Sequence, residues 1–241
     1  MKPIYFALAL VTFVLAGCAE TARAPETSDT VSRNASPRIL AMGDSLMAWH
    51  GLTGQSIAHS VARELGEPVR NNAVRGAHVL YNLPISGAMG MKIARQFDEG
   101  DWDWVVLTGG GNDLWLGCGC RKCERKLDKL ISRDGRKGAI PGMLAKIRQS
   151  GARIIYVGYL RSPGIDSGVD ECRSEGDVLE GRIARLADYA DGLYFLSLQD
   201  LVPHGDRSYH GIDMIHPSVK ASREIGQRVA ELIRQEDAAR D

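Results

Sequence analysis

The chain has 241 residues, 44% hydrophobic and 25% charged, and its 30 Lys+Arg balance 30 Asp+Glu to a formal charge of zero. Length and apolar content suit one globular domain with a substantial core. The neutral balance, with no basic run interleaved with aromatics, excludes the electrostatic footprint of a nucleic-acid binder.

The first element is a targeting segment. Lys2 supplies a positive start, Ile4 to Leu15 is nearly continuous apolar sequence, and Leu15-Ala16-Gly17-Cys18 ends it. The run has signal-peptide dimensions and is short for a membrane span. Its end resembles the lipobox of bacterial lipoproteins. That resemblance implies cleavage before Cys18, lipid on the Cys18 sulfur, and a place on the periplasmic side of a bacterial envelope. Ala19, rather than Asp, favours the outer over the inner membrane. An ordinary secretory signal with an incidental cysteine is the alternative. Glu20 to Ser36 is rich in Thr, Ala, Ser, Pro and Glu. With little to bury, it is expected to be a flexible tether. The expected division is therefore leader 1–17, tether 18–36, globular domain 37–235 and tail 236–241.

From Pro37 onward, short apolar runs alternate with longer amphipathic ones. Strands are predicted at Arg38–Met42, Val69–Val74, Trp104–Thr108, Arg153–Tyr159 and Leu193–Ser197. Helices are predicted at Gln55–Leu65, Met89–Phe97, Ile140–Gln149, Leu179–Tyr189 and Ser218 to about Gln235. Gly66, Gly100, Gly151 and Gly192 precede strands, as helix-ending glycines do. The βα alternation implies an α/β fold, a five-stranded parallel sheet covered by helices on both faces, flavodoxin-like in its three α/β/α layers.

Four cysteines fall inside the domain: Cys118, Cys120, Cys123 and Cys172. An exported chain meets an oxidising compartment, so disulfides are expected. A Cys118–Cys120 bridge would close a very tight loop. Cys172 is therefore expected to pair with Cys118 or Cys120, and Cys123 with the other. A zinc site of Cys-x-Cys-x-x-Cys plus Cys172 is the rival reading.

Three clusters carry chemistry. Gly43-Asp44-Ser45-Leu46 follows the first strand, Gly110-Gly111-Asn112-Asp113 the third, and Asp213-Met214-Ile215-His216-Pro217 lies near the end. Ligands of doubly wound sheets bind beyond the carboxyl ends of the strands, where Ser45, Gly76 and Asn112 should meet. A serine hydroxyl needs a base to take its proton, and an imidazole ordinarily titrates near neutrality. Asp213, three residues before His216, is placed to orient it. Pro217 suits the first position of a closing helix. The bland readings are helix capping by Ser45 and a surface turn around His216. Asp44 and Asp113 are expected to position their loops by hydrogen bonds. His50, His59, His78, His204 and His210 are expected to be surface or packed residues. Trp49 and Trp115 are placed to line a pocket or to pack, and Arg161-Ser162-Pro163-Gly164 follows the fourth strand on the same edge. The basic run Arg121–Lys129 reads as a solvated face. There is no Gly-x-Ser-x-Gly elbow, Walker loop or His-Glu-x-x-His.

These clusters, together with Asn71 to Gly76 at Asn-x-x-x-x-Gly spacing, resemble the SGNH/GDSL hydrolase superfamily over roughly Arg38 to Leu232. The resemblance implies Ser45 as nucleophile, His216 as base and Asp213 as its orienting acid. The Ser45 and Gly76 N–H groups and the Asn112 amide would form the oxyanion hole. It implies ester hydrolysis without metal or organic cofactor, on a small-molecule or saccharide ester, with a short acyl or O-acetyl group the leading expectation. An envelope O-acyltransferase and a non-catalytic envelope-binding lipoprotein remain alternatives.

Overall fold

The computed structural model describes residues 37–165 and 167–240. The expected leader and tether, with Cys18, lie outside the described residues. Five strands form one parallel sheet: β1 (Ile39–Met42), β2 (Val69–Asn71), β3 (Trp104–Leu107), β4 (Arg153–Val157) and β5 (Leu193–Leu196), in the order β2-β1-β3-β4-β5. Every pairing is parallel, in registers such as Ile39 with Trp104 and Val105 with Ile154. The expected flavodoxin-like order is therefore present.

Strand alternation sorts the core into two layers, because successive side chains point to opposite faces. Leu40, Met42, Val105, Leu107, Ile154 and Tyr156 face one layer. It is covered by α4 (Gly111–Cys118), α5 (Glu124–Leu130), α6 (Ala139–Arg148) and α7 (Arg173–Ala187). Ile39, Ala41, Trp104, Val106, Ile155 and Val157 face the other. That side is covered by α1 (Ser45–Ala48), α2 (Ile57–Leu65) and α8 (Val219–Ala238). Burial on both faces is why β1 and β3 read as unbroken apolar runs. The α2–α8 contact is close: a Cβ on Gly226 would stand 2.3 Å from the Ser60 Cβ, and Ser60 Oγ donates to Arg223 O at 2.9 Å.

Several expected boundaries change. Met89–Phe97 is not one helix. The segment is a chain of short turns, α3 (Pro84–Ser86), a π-type turn at Gly87–Met91 and a 3₁₀ turn at Ile93–Arg95. Gly90 at φ 96° breaks the helical path, and a Cβ there would strike the Val74 side chain at 2.7 Å. α4 and α5 were not expected; the second occupies most of the basic run, whose Leu127 and Leu130 are buried. α7 begins at Arg173 rather than Leu179, and α8 continues to Ala238 through the expected tail. Gly66 and Gly192 adopt left-handed conformations before β2 and β5 as expected, whereas Gly100 follows no helix.

Candidate active site

The crossover segments at the carboxyl edge of the sheet bring the expected residues together. Ser45 opens α1 directly after β1, capped by Asp44, whose Oδ1 accepts the Leu46 N–H at 3.0 Å. Gly43 has φ 140° and sits against β3; a Cβ there would lie 2.7 Å from Thr108 O. Only glycine lets the turn that carries Ser45 approach the end of β3 that closely. Asn112 stands at the start of α4, and its Nδ2 donates to Ala77 O at 2.9 Å. This bond joins it to the four-residue turn Val74–Ala77, closed by Ala77 N to Val74 O at 3.1 Å, with Gly76 at φ 76°. One Asn112 N–H is thereby used and the second is left for a ligand.

The C-terminal cluster is ordered by Asp213. Its Oδ1 accepts the Ile215 and His216 N–H groups at 3.1 and 3.0 Å, while Oδ2 bonds His216 Nδ1 at 2.7 Å. Burial acts to raise the Asp213 carboxyl, but the His216 bond and the two backbone N–H groups outweigh it, so it is held below its ordinary 3.8. An Nδ1 proton directed at Asp213 leaves Nε2 as the acceptor. Met214 takes φ 56°, and Ser167 Oγ fixes its carbonyl at 2.8 Å. The Trp49 ring stacks on the His216 ring at 3.7 Å between centroids and 4° between planes. The Arg75 guanidinium lies 4.3 Å from the centroid of Trp49. His50 Nε2 meets Pro217 O at 3.0 Å. Ser45 and His216 line one cleft, although no hydrogen bond joins their side chains among the described residues.

That cleft encloses about 950 Å³ out to its open mouth. Ser45, Asn112 and His216 stand in its wall; Leu114, Trp115, Leu160, Val169, Leu179 and Ile215 make much of the rest apolar. Gly76 is not part of the lining. Arg161 does line it, but its guanidinium is engaged by Glu180 at 2.7 Å and Asp177 at 2.8 Å. Burial raises the Glu180 carboxyl and Arg161 opposes the shift.

Three polar side chains that the motifs did not mark hold the loops together. Buried Gln96 accepts the Gly43 N–H at 2.6 Å and donates to Gly43 O and Gly90 O, each at 2.8 Å. The Tyr159 hydroxyl donates to Asp44 Oδ2 and accepts the Gly111 N–H at 2.8 Å, tying the Ser45 loop to the Asn112 loop. Tyr156 donates to Gly109 O at 2.8 Å. Asp113 accepts the Val79 and Leu80 N–H groups at 2.9 and 2.8 Å, the positioning work expected of it. Burial raises both the Asp44 and the Asp113 carboxyls, opposed chiefly by Tyr159 at the first and by these N–H groups at the second.

The cysteines are paired Cys118–Cys123 and Cys120–Cys172. Each sulfur is thus bound to another sulfur, an arrangement different from the thiolate zinc alternative. The second bridge fastens the end of α4 to the segment before α7, and Cys172 lines the cleft. Among the described residues, no group of three or more His, Cys, Asp or Glu is arranged to hold a metal. Trp115 lines the cleft, whereas Trp49 packs on His216. His59 bonds Ser56 at 2.8 Å, and His210 is buried.

Comparison with known proteins bears on the fold and the family. No curated protein matches the sequence. Solved structures share its fold. An acetyl xylan esterase from the rumen bacterium Butyrivibrio proteoclasticus aligns at TM-score 0.56 and 14% identity, over 84% of this chain and 65% of that one. A carbohydrate acetylesterase from Sinorhizobium meliloti aligns at TM-score 0.52 and 17% identity, over 83% and 99%. TesA aligns at TM-score 0.55 and 20% identity, over 79% and 94%. The model of the GDSL-like lipase/acylhydrolase family matches residues 41–223, most of the described domain, and the chain belongs to that family of ester-hydrolysing enzymes.

Proposed function

We propose that the protein is a serine esterase that cleaves a carboxylic ester through an acyl-enzyme on Ser45. The observation that carries this reading is His216, bonded through Nδ1 to Asp213, in the wall of the same cleft as Ser45 and Asn112. In this mechanism His216 Nε2 takes the Ser45 proton as Oγ attacks the ester carbon. The Asn112 amide and the Ser45 N–H stabilise the oxyanion, while Gly76, outside the lining, serves the turn that Asn112 holds. The protonated imidazole returns its proton to the leaving alcohol. Water, deprotonated by the same imidazole, then releases the acyl group and restores Ser45. Asp213 holds the tautomer throughout.

The similar folds include two enzymes named for acetyl esters of carbohydrates, which supports a short acyl group on a saccharide. The apolar wall from Leu114 to Leu179 favours a second reading, an acyl chain of several carbons lying along α4 and α7. A panel of p-nitrophenyl esters of rising chain length, run beside an O-acetylated polysaccharide, separates the two. Ser45→Ala and His216→Ala should each abolish nearly all turnover, to similar levels, because nucleophile and base act as one unit. A fluorophosphonate should label wild type and not Ser45→Ala. Wild-type rates in both variants would remove the serine mechanism and leave a non-catalytic binding module. Acyl transfer to a sugar in preference to water would instead mark an acyltransferase.

We also propose the cellular setting that the leader implies: export, lipid on Cys18, and attachment at the periplasmic side of an outer membrane. The lipobox-like Leu15-Ala16-Gly17-Cys18 supports it.

A further inference from the structure

Among the described residues, most of the exposed large apolar side chains lie in segments that leave the carboxyl ends of the strands, Val178 and Tyr189 standing apart in and just after α7 and Val219 at the start of α8. Leu52, Leu83, Ile85, Met89, Leu116 and Ile212 are all largely exposed, Leu52 and Ile212 almost completely. Each lies in a segment that follows the carboxyl end of a strand, the edge that carries the cleft. Contacts link these segments around its mouth. Arg75 covers Trp49, three residues before Leu52; Trp49 stacks on His216, and His216 is bonded to Asp213, next to Ile212. Asp113 in α4, three residues before Leu116, holds Val79 and Leu80 at the approach to α3.

Charge is uneven within these segments. From Pro68 to Phe97 the sequence has four cations, Arg70, Arg75, Lys92 and Arg95, and no acid; Ser45 to Arg63 also has no acid. Arg75, Lys92 and Arg95 have no carboxylate partner among the described residues. The acids of that crossover, Asp98, Glu99, Asp101 and Asp103, come together immediately before β3, at its amino end. The β2–β3 crossover thus sets unpaired cations beside its exposed apolar groups and keeps its own carboxylates for the entry to β3. Scattered single apolar residues need no explanation, but Leu83, Ile85 and Met89 within seven residues, flanked by Arg75 and Lys92 and with no acid in the crossover before Asp98, do.

We propose that this rim docks on an anionic lipid surface, with the apolar side chains entering the headgroup boundary and Arg75 and Lys92 meeting lipid phosphates. Apolar burial joined to cation attraction is the chemistry of interfacial binding, and its charged part is weakened by salt. A protein partner would be served by the apolar residues alone; the acid-free stretches Ser45–Arg63 and Pro68–Phe97, with Arg75 and Lys92 unpaired, favour an anionic sheet. Pro37 enters β1 from the opposite edge. The 19 residues from Cys18 to Pro37 span at most about 65 Å. A domain of this size is roughly 40 Å across. A lipid on Cys18, as proposed above, therefore leaves enough chain for the rim to rest on the same bilayer.

Hydrogen exchange of the full chain tests this without reference to esterase activity. The chain is mixed with vesicles of phosphatidylcholine alone or of phosphatidylcholine with phosphatidylglycerol, and the vesicle-bound fraction is measured. On the anionic vesicles, residues 49–56 and 80–91 should exchange about fivefold more slowly or better than on neutral ones, with the gain lost in high salt. A Leu52→Asp, Ile85→Asp double variant should lose the protection while keeping its melting temperature. Equal exchange on both vesicles, or protection unchanged in the double variant, would overturn the proposal. Protection of the same segments without vesicles, rising with protein concentration, would overturn it in favour of a second copy of the chain.

Discussion

Asn112 enters the site with one amide N–H already given to Ala77 O, so its carboxamide plane is fixed before a ligand arrives. A donor held in place contributes chiefly when negative charge develops on the substrate oxygen. Asn112→Ala should therefore lower kcat by about 10²–10³-fold with a smaller change in KM, as steady-state kinetics on a soluble ester will read. His210 works on stability instead. It is buried, its Nδ1 has no hydrogen-bond partner, and burial lowers its pKa from 6.5 against the opposing fields of Asp213 and Asp170. Between the folded and unfolded values the unfolded chain binds a proton that the folded one refuses. Stability is then full above about 6.5 and declines as pH falls toward the depressed folded value. His210→Gln should flatten the loss of urea midpoint between about pH 7.5 and 5.5.

At the scale of elements, α4 and the start of α7 form facing parts of the cleft wall and are fastened by Cys120–Cys172 across 52 residues. Closing a loop of that length restricts the unfolded chain by about 4 kcal/mol in the chain-entropy model. Replacing both cysteines by serine should lower the urea-derived stability by that order and leave Cys118–Cys123 in place; a loss under about 1 kcal/mol would show that the bridge restrains little. The sequence made the strands, their order and the three motif turns legible, since apolar runs of four or five residues before Gly43, Gly109 and Gly158 are local signals. It hid α4 and α5. Gly117-Cys118-Gly119-Cys120 resembles a loop, and Leu127 and Leu130 are thinly spread among charges. The false helix at Met89–Phe97 had the right periodicity, but Gln96 is turned inward to serve Gly43 and Gly90. Gln96 and Tyr159 could not be assigned from the sequence, because their partners lie 53 and 115 residues away.

For the whole molecule, attachment is a separable expectation. No helix among the described residues is long and apolar enough to cross a membrane. If Cys18 carries lipid, metabolic labelling with a palmitate analogue in a bacterial host should mark wild type and not Cys18→Ser, and the variant should leave the membrane fraction. Unlabelled wild type would return Cys18 to an incidental residue at the end of an ordinary export signal.

The contact between α8 and α2 sets the order in which this protein can come into being. α2 lies early in the chain and α8 at its end, and they meet where Gly226 faces Ser60. Until Val219–Ala238 has been synthesised, Ile57 and Val61 lack the Ile225 and Val229 that complete their layer. His216 stands just ahead of that helix, 171 residues after Ser45. On the proposed mechanism, a growing polypeptide holds Ser45 for most of the synthesis of this domain without the His216 that would take its proton, and the segment that supplies His216 leads directly into the helix that completes the hydrophobic layer.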